Sequence, residues 1–518
     1  MEPEKENTQA APATQILTGI GTKNPTIHVL DSLMGMGKST ALINMIKTES
    51  IASIIDHQAK VPTKRWLVIV PTLAEVDRYV EALSTFGASF EMPNDTFHGR
   101  KMLHLLRMVE EGRNIVATHA LFNQLSRQVY KAIEALDYTL VIDEEIEVVR
   151  PYELNTAKTN HLFNKGYVFT DQVTRRVQWN SAEHPVSSFP FKTDIPKLCE
   201  AGHLVQSKAG LLIVETPAEF LRCFDEVWVA TYMFDGAPMR AYLEANHFPI
   251  QMLTVAKDHR GKHQVVPFGS EDALASELLV KRELRRLVTV YGGRRNMVGA
   301  NSHKASPLTS TWFNSKAQRE PEALTSLANS IAEFLKENAP AERVVWTTFK
   351  GHEERMRVKG LKTDCNEDGK ACGFLPYNTR ATNAYRNVEA MAYPMNVYQH
   401  GDVRSYFDEQ GIPTSEDLYA ISTLVQWLWR SRIRKEPRES ITVYLPSERM
   451  RGLFLEWLHT DSTKAFVDEK MEGARRALEA TQKPDAKGRA WIKPKSAEVG
   501  FEAKIAARIW PPTAIAAE

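Results

Sequence analysis

The sequence predicts an α/β protein with two tandem domains, each built on a mostly parallel sheet. Three observations lead there: short apolar runs that end abruptly in polar or glycine-containing turns, amphipathic stretches that follow them, and a length of 518 residues, enough for two to four domains. Strands of parallel sheets are covered on both faces, so they read as unbroken apolar runs joined through helices. Hydrophobic residues make up 43% of the chain and charged residues 25%, a balance that excludes wholesale disorder and collagen-like fibres. Lys and Arg number 65 against 64 Asp and Glu, so any polyanion-binding surface has to come from local placement of charge.

Residues 1–24, rich in Glu, Thr, Ala and Gln, read as a flexible lead-in. The first domain is expected over 25–242. TIHVL from Thr26 is a buried strand, followed by a glycine turn and the helical STALINMI, Ser39 to Ile46. RWLVIVPT, Arg65 to Thr72, is a second strand, and LAEVDRYVEAL after it carries apolar residues at helical spacing. NIVATHALF from Asn114 and YTLVIDEE from Tyr138 repeat the plan, and VWVAT, Val227 to Thr231, is a further core strand. Residues 151–219 are less regular and read as an elaboration of this domain. Its aromatics Phe163, Tyr167, Phe169 and Trp179 are candidates for a stacking platform or wedge, with ordinary packing the simpler expectation.

A second α/β domain is expected over 243–465, starting with a strand near Ile250 and including RRLVTVYGG and VVWTTF. Residues 466–518 read as a C-terminal helix and a mobile tail bearing Lys483, Lys487, Lys493 and Lys495. The four cysteines, Cys199, Cys223, Cys365 and Cys372, form no CxxC pair, which argues against zinc and for a reducing compartment. No apolar run approaches membrane-spanning length, and the polar N-terminus has no secretory signature, so the expected location is the cytoplasm.

The sharpest local signal is SLMGMGKST, Ser32 to Thr40, between a strand and a helix. A nucleotide's phosphates need neutralisation without slow rearrangement. The amides of a tight loop and a helix N-terminus supply it, with Lys38 reaching β/γ oxygens and Ser39 placed for magnesium. Gly35 and Gly37 permit close backbone approach, with Ser32, Met36 and Thr40 completing the binding segment. LVIDEE then carries Asp143 and Glu144 to a strand end, Asp143 toward the magnesium and Glu144 toward the attacking water. Both Mg²⁺ and ATP are therefore expected.

In the second domain, QWLWRSRIR places Arg430 and Arg434 four apart, on one face if helical. A guanidinium fork can neutralise charge on a transferred phosphoryl, which gives Arg430 the finger role, Arg434 a neighbouring contact, and Gln426 a sensing or coupling role. VVWTTFK ends in Thr347, Thr348 and Lys350, and YNTRATN supplies Arg380 and Asn383; all are candidate donors to a nucleic-acid backbone. Arg294 and Arg295 after YGG are weaker candidates of the same kind.

Taken together, these segments resemble the superfamily 2 helicases, the DEAD/DEAH-like ATPases with two RecA-like domains, and most of all their divergent bacteriophage members. SLMGMGKST is similar to motif I, with Ser32 at the usual first glycine, and IDEE is similar to motif II. VIVPTLAEV and VATHALF resemble the motifs whose strand ends grip nucleic acid, here Pro71, Thr72, Thr118 and His119. VATYMF resembles motif III, with Ala230 and Thr231 as the coupling pair. WTTFK, NTRATN and QWLWRSRIR approximate motifs IV, V and VI. In the last, Trp429 occupies the usual glycine position and Arg434 is displaced by one residue from the common arginine spacing.

The resemblance spans roughly residues 26–460. It implies two RecA-like domains with an elaboration in the first and a short C-terminal extension, and an ATP-driven DNA helicase or translocase. DNA is the expected track and RNA the alternative. Replication or recombination proteins are possible partners, a monomer is allowed, and a phage-encoded chain would act in the bacterial cytoplasm. A DNA-packaging or remodelling ATPase, a binding module without catalysis and a P-loop kinase are the competing readings.

Overall fold

The structure, a computed structural model, describes residues 20–55, 64–84, 89–95, 100–154, 156–185, 193–301, 306–361, 373–379 and 384–482. Arg380, Asn383, Cys365, Cys372 and the four tail lysines lie outside these residues.

An eight-stranded sheet forms the first half. Its order is His263–Pro267, Ile250–Lys257, Thr26–Asp31, Glu226–Thr231, Tyr138–Asp143, Arg65–Val70, Asn114–Thr118 and Phe90–Glu91. All neighbours run parallel except the hairpin-like pair of Ile250–Lys257 and His263–Pro267. Tyr138–Asp143 is buried along its whole length, which accounts for the apolar run Leu140–Ile142 at its centre. Register sets Asp31 opposite Thr231 and Ala230 opposite Asp143, so the glycine-containing loop after Asp31 and the acidic pair leave the sheet at one edge. Ligands of open parallel sheets bind at that carboxyl edge.

The second half carries a five-stranded parallel sheet, ordered Val288–Val290, Ile441–Tyr444, Ala390–Ala392, Val344–Trp346 and Gly373–Phe374. The expected boundary at residue 243 requires correction: Ile250–Lys257 pairs with Thr26–Asp31, so the first sheet extends to Pro267. Pairing partners are distant in sequence, and a buried strand's own residues do not specify which sheet it joins. The C-terminal helix starts earlier than expected, spanning Thr463–Gln482, and it buries Phe466, Val467 and Met471 in the second core.

The elaboration contains an antiparallel sheet of Val149–Pro151, Leu212–Glu215 and Leu204–Gln206, plus the hairpin Val168–Thr170 and Val177–Trp179. Tyr167 stacks on Trp179 at 6.0 Å and Phe163 packs on the local core, whereas Phe169 remains 42% exposed. Packing therefore accounts for three of the four aromatics.

The halves share side chains. Leu33 and Met36 of the glycine-containing loop after Asp31, with Tyr232 and Met233, are buried in the second half's core. In return, Val403, Tyr406, Phe407 and Ile412 are buried in the core of the first. Each such side chain contributes about 1.5–3 kcal/mol when fully withdrawn from water, so the two halves are tightly joined.

Candidate nucleotide site between the two halves

The loop after Thr26–Asp31 turns through Gly35 and Gly37, whose φ angles of +79° and +88° are open to glycine at little cost. It delivers the chain into the helix Lys38–Ile55. A Cβ on Gly37 would lie 2.4 Å from the His263 ring, so the imidazole rests directly on the loop. The Lys38 ammonium donates to the Ser32 carbonyl at 2.5 Å and lies 3.4 Å from that of Leu33. Burial holds its pKa down to about 8, against the attraction of Asp31, Asp143 and Glu144, with a smaller push from Arg434. These five ionisable groups thus share one electrostatic neighbourhood.

Asp143 ends its strand beneath the helix Leu73–Ser84. The Tyr79 hydroxyl donates to Asp143 Oδ2 at 2.7 Å, and Arg78 lies 3.8 Å from the same oxygen. Tyr79 also hydrogen-bonds the Ser39 side chain, and burial first, then the Asp143 charge, raises its pKa well above the ordinary value. Glu144 adopts a left-handed φ of +66°, and its N–H donates to the Ala230 carbonyl at 3.0 Å. Backbone held in so sparse a region is a hallmark of functional positions, because surrounding structure must impose it. Next door, the Thr231 carbonyl accepts from Ser32 N–H at 3.2 Å. The small pair Ala230–Thr231 therefore joins the phosphate loop to the acidic turn through backbone bonds.

Asp31 is buried at the root of the loop. It accepts from the amides of Met233 and Phe234, both at 2.9 Å, while burial pushes its pKa up to about 7. Asp31, Tyr79 and His263 were not singled out by sequence. A lone tyrosine on an amphipathic helix and a histidine on an edge strand carry no signal without the pairing that aims them.

From the second half, Arg430 is buried and its Nη2 lies 3.8 Å from Glu144 Oε1. The expectation that Arg430 and Arg434 share one helical face requires correction. The helix Glu416–Leu428 stops just before them, and a short 3₁₀ turn spans Arg432–Arg434. Ser431 donates its hydroxyl to the Leu428 carbonyl at 2.7 Å, which satisfies the helix end and lets the chain turn. Gln426 donates to Ser422 Oγ at 3.0 Å, and Ser422 donates to the Tyr232 carbonyl at 2.9 Å. That relay ties the helix leading into Arg430 to the strand end that carries Ala230 and Thr231.

The candidate strand-gripping residues are placed unevenly. Thr72 and Thr118 are half-buried, and their hydroxyls accept helix-start amides from Glu75 and Leu121, both at 3.3 Å. Pro71 is half-buried beside Thr72, and His119 Nε2 contacts the Asp143 carbonyl at 3.1 Å. Thr347 and Thr348 are fully buried, which corrects their expected role as outward phosphate donors; of that trio only Lys350 is exposed. Arg295 is engaged by Glu337 at 2.7 Å.

The donor set fits a nucleoside triphosphate with a divalent cation. Loop amides and Lys38 suit an anion, while the Ser39 hydroxyl and Asp143 carboxylate, bridged by one tyrosine hydroxyl, are the hard oxygen ligands magnesium prefers. Among the described residues, no group of three or more His, Cys, Asp or Glu side chains is placed to hold a metal. Among the same residues, no helix is long and apolar enough to cross a membrane.

Residues 282–458 match a family described as the YonV C-terminal Rossmann-like domain. The SPbeta prophage-derived uncharacterized protein YonV of Bacillus subtilis (strain 168) is 26% identical over 438 residues, covering 83% of this chain and 98% of that protein. Among solved structures, XPD_APO aligns over 84% of this chain and 94% of its own at 11% identity, with a TM-score of 0.39. The structure of S. tokodaii Xpd4 aligns over 86% and 95% at 13% identity, with a TM-score of 0.35.

Proposed function

We propose that this chain is an ATP-driven nucleic-acid motor, a phage-type DNA helicase or translocase with superfamily 2 chemistry. The observation that carries the reading is the 3.8 Å approach of Arg430, from one half, to Glu144, from the other, beside Lys38. A P-loop kinase needs no second α/β domain to supply such a group, and a passive binding module needs no such convergence. The prophage-derived relative accords with the phage-type part of the reading.

In this reading the loop amides and Lys38 bind the triphosphate, and Ser39 and Asp143 hold Mg²⁺. A cation held by these two residues would supply Lewis-acid stabilisation of the triphosphate's charge. Glu144 orients the attacking water and accepts its proton. Arg430 then turns from Glu144 toward the γ-phosphoryl and stabilises the charge that develops there, with Arg434 as a neighbouring contact. Loss of phosphate weakens the bridge between the halves. Ala230–Thr231 and the Gln426–Ser422 relay carry that change to the strand ends at Pro71, Thr72, Thr118 and His119, and to Lys350, Arg380 and Asn383. Contacts to phosphates position a strand without reading its sequence, so specificity for base order is expected to be weak.

The test is an ATPase and unwinding panel on forked, tailed and blunt DNA and RNA, with Lys38→Ala as control. Stimulation by nucleic acid that is lost in Lys38→Ala supports the motor. Hydrolysis without strand displacement places the chain among translocating or remodelling ATPases, and absence of hydrolysis in the wild type overturns the reading.

A further inference from the structure

Trp429 lies one residue before Arg430. Its side chain is 3% exposed and belongs to the second core, together with Leu33 and Met36 of the phosphate loop. Its indole nitrogen is buried and has no hydrogen-bond partner. The same nitrogen is the atom nearest to Gly35, 3.4 Å from where a Cβ on that glycine would sit. Gly35 itself is exposed, so the turn beside the indole reaches the surface. A buried indole N–H normally finds an acceptor, and leaving one unmade is costly. An anion cradled by the loop would bring the missing acceptor to this indole nitrogen.

We propose that Trp429 is a nucleotide-binding residue whose indole N–H donates to a phosphate oxygen held at the Gly35 turn. This inference rests on the nucleotide reading above. Trp429 would bind ground state and transition state alike, unlike Arg430, whose contribution appears as charge develops. It would also let the second half register an occupied loop before hydrolysis.

The experiment compares wild type with Trp429→Phe, which keeps an aromatic side chain at the position, though a smaller one, and removes the donor. Binding of Mg·ATPγS and of Mg·tripolyphosphate is measured, with kcat and KM for ATP. The expected result is a roughly tenfold loss of affinity for both probes, with KM raised and kcat little changed. Equal loss for tripolyphosphate, which lacks base and sugar, puts the contact on phosphate. Unchanged affinity in Trp429→Phe overturns the proposal alone, whereas failure of the wild type to bind either probe overturns the nucleotide reading with it. Should the variant not fold, ¹⁵N-indole spectra of wild type decide: an indole N–H moving downfield on adding Mg·ATPγS supports the contact, and an unmoved set overturns it.

Discussion

Asp143 is held by a tyrosine. The 2.7 Å bond from Tyr79 orients the carboxylate, and the same hydroxyl meets Ser39, so one side chain aligns both proposed magnesium ligands. Groups that orient ligands commonly contribute 10–100-fold to metal affinity. Tyr79→Phe, which keeps the buried ring, is therefore expected to raise the Mg²⁺ concentration that half-saturates ATPase activity by roughly tenfold. A magnesium titration checks this, and an unchanged midpoint would reduce Tyr79 to packing. Lys281 gives a second prediction at this scale. It is fully buried, donates to the Trp457 carbonyl at 3.1 Å, and burial lowers its pKa to about 8, partly offset by Glu277. Its folded pKa lies below the unfolded value, so the charged form is penalised in the fold below pH 8. That penalty is relieved as pH rises from about 8 toward 10.5. Stability of wild type relative to Lys281→Met is expected to rise across that window, by roughly 3 kcal/mol at its full extent. Denaturant melts at pH 7.5 and 10 measure it, and a flat difference would contradict the burial.

At the scale of elements, the strand–loop–helix around Lys38 and the strand carrying Asp143 were legible because their signals are local. Continuous apolar runs reveal buried strands, and the glycines before GKST reveal a tight turn between strand and helix. The pairing of Ile250–Lys257 with Thr26–Asp31 was not legible, since nothing in a buried strand names its neighbour. Nor was the end of the helix at Leu428, because Arg430 and Arg434 fit helical spacing and the stop depends on the Ser431 hydroxyl. The burial of Thr347 and Thr348 depends on what packs over their strand end, which the sequence of that strand does not contain. Where elements of the two halves meet, Gly236 is decisive: a Cβ there would lie 2.6 Å from the Leu418 backbone carbonyl carbon. Backbone cannot swing aside as a flexible side chain can. Gly236→Ala is expected to destabilise the joined halves by roughly 1–3 kcal/mol, read as a lowered melting temperature. An unchanged melt would mean that the helix Glu416–Leu428 does not pack so closely.

At the scale of the molecule, the two sheets are joined by exchange rather than by a flat interface. The phosphate loop sends Leu33 and Met36 into the second core, and the second half returns Tyr406 and Phe407 to the first. The Tyr406 hydroxyl also donates to the buried Glu215 of the elaboration at 2.7 Å. A change at the loop is thus mechanically shared with the segment that carries Arg430, which is what the proposed coupling of hydrolysis to movement requires. The most direct test of a nucleotide clasped from both sides is single-turnover ATP hydrolysis by Arg430→Ala, with ATP affinity measured in parallel. The account predicts affinity within a few-fold of wild type and a hydrolysis rate lower by about 10³-fold. Wild-type hydrolysis in that variant would contradict it.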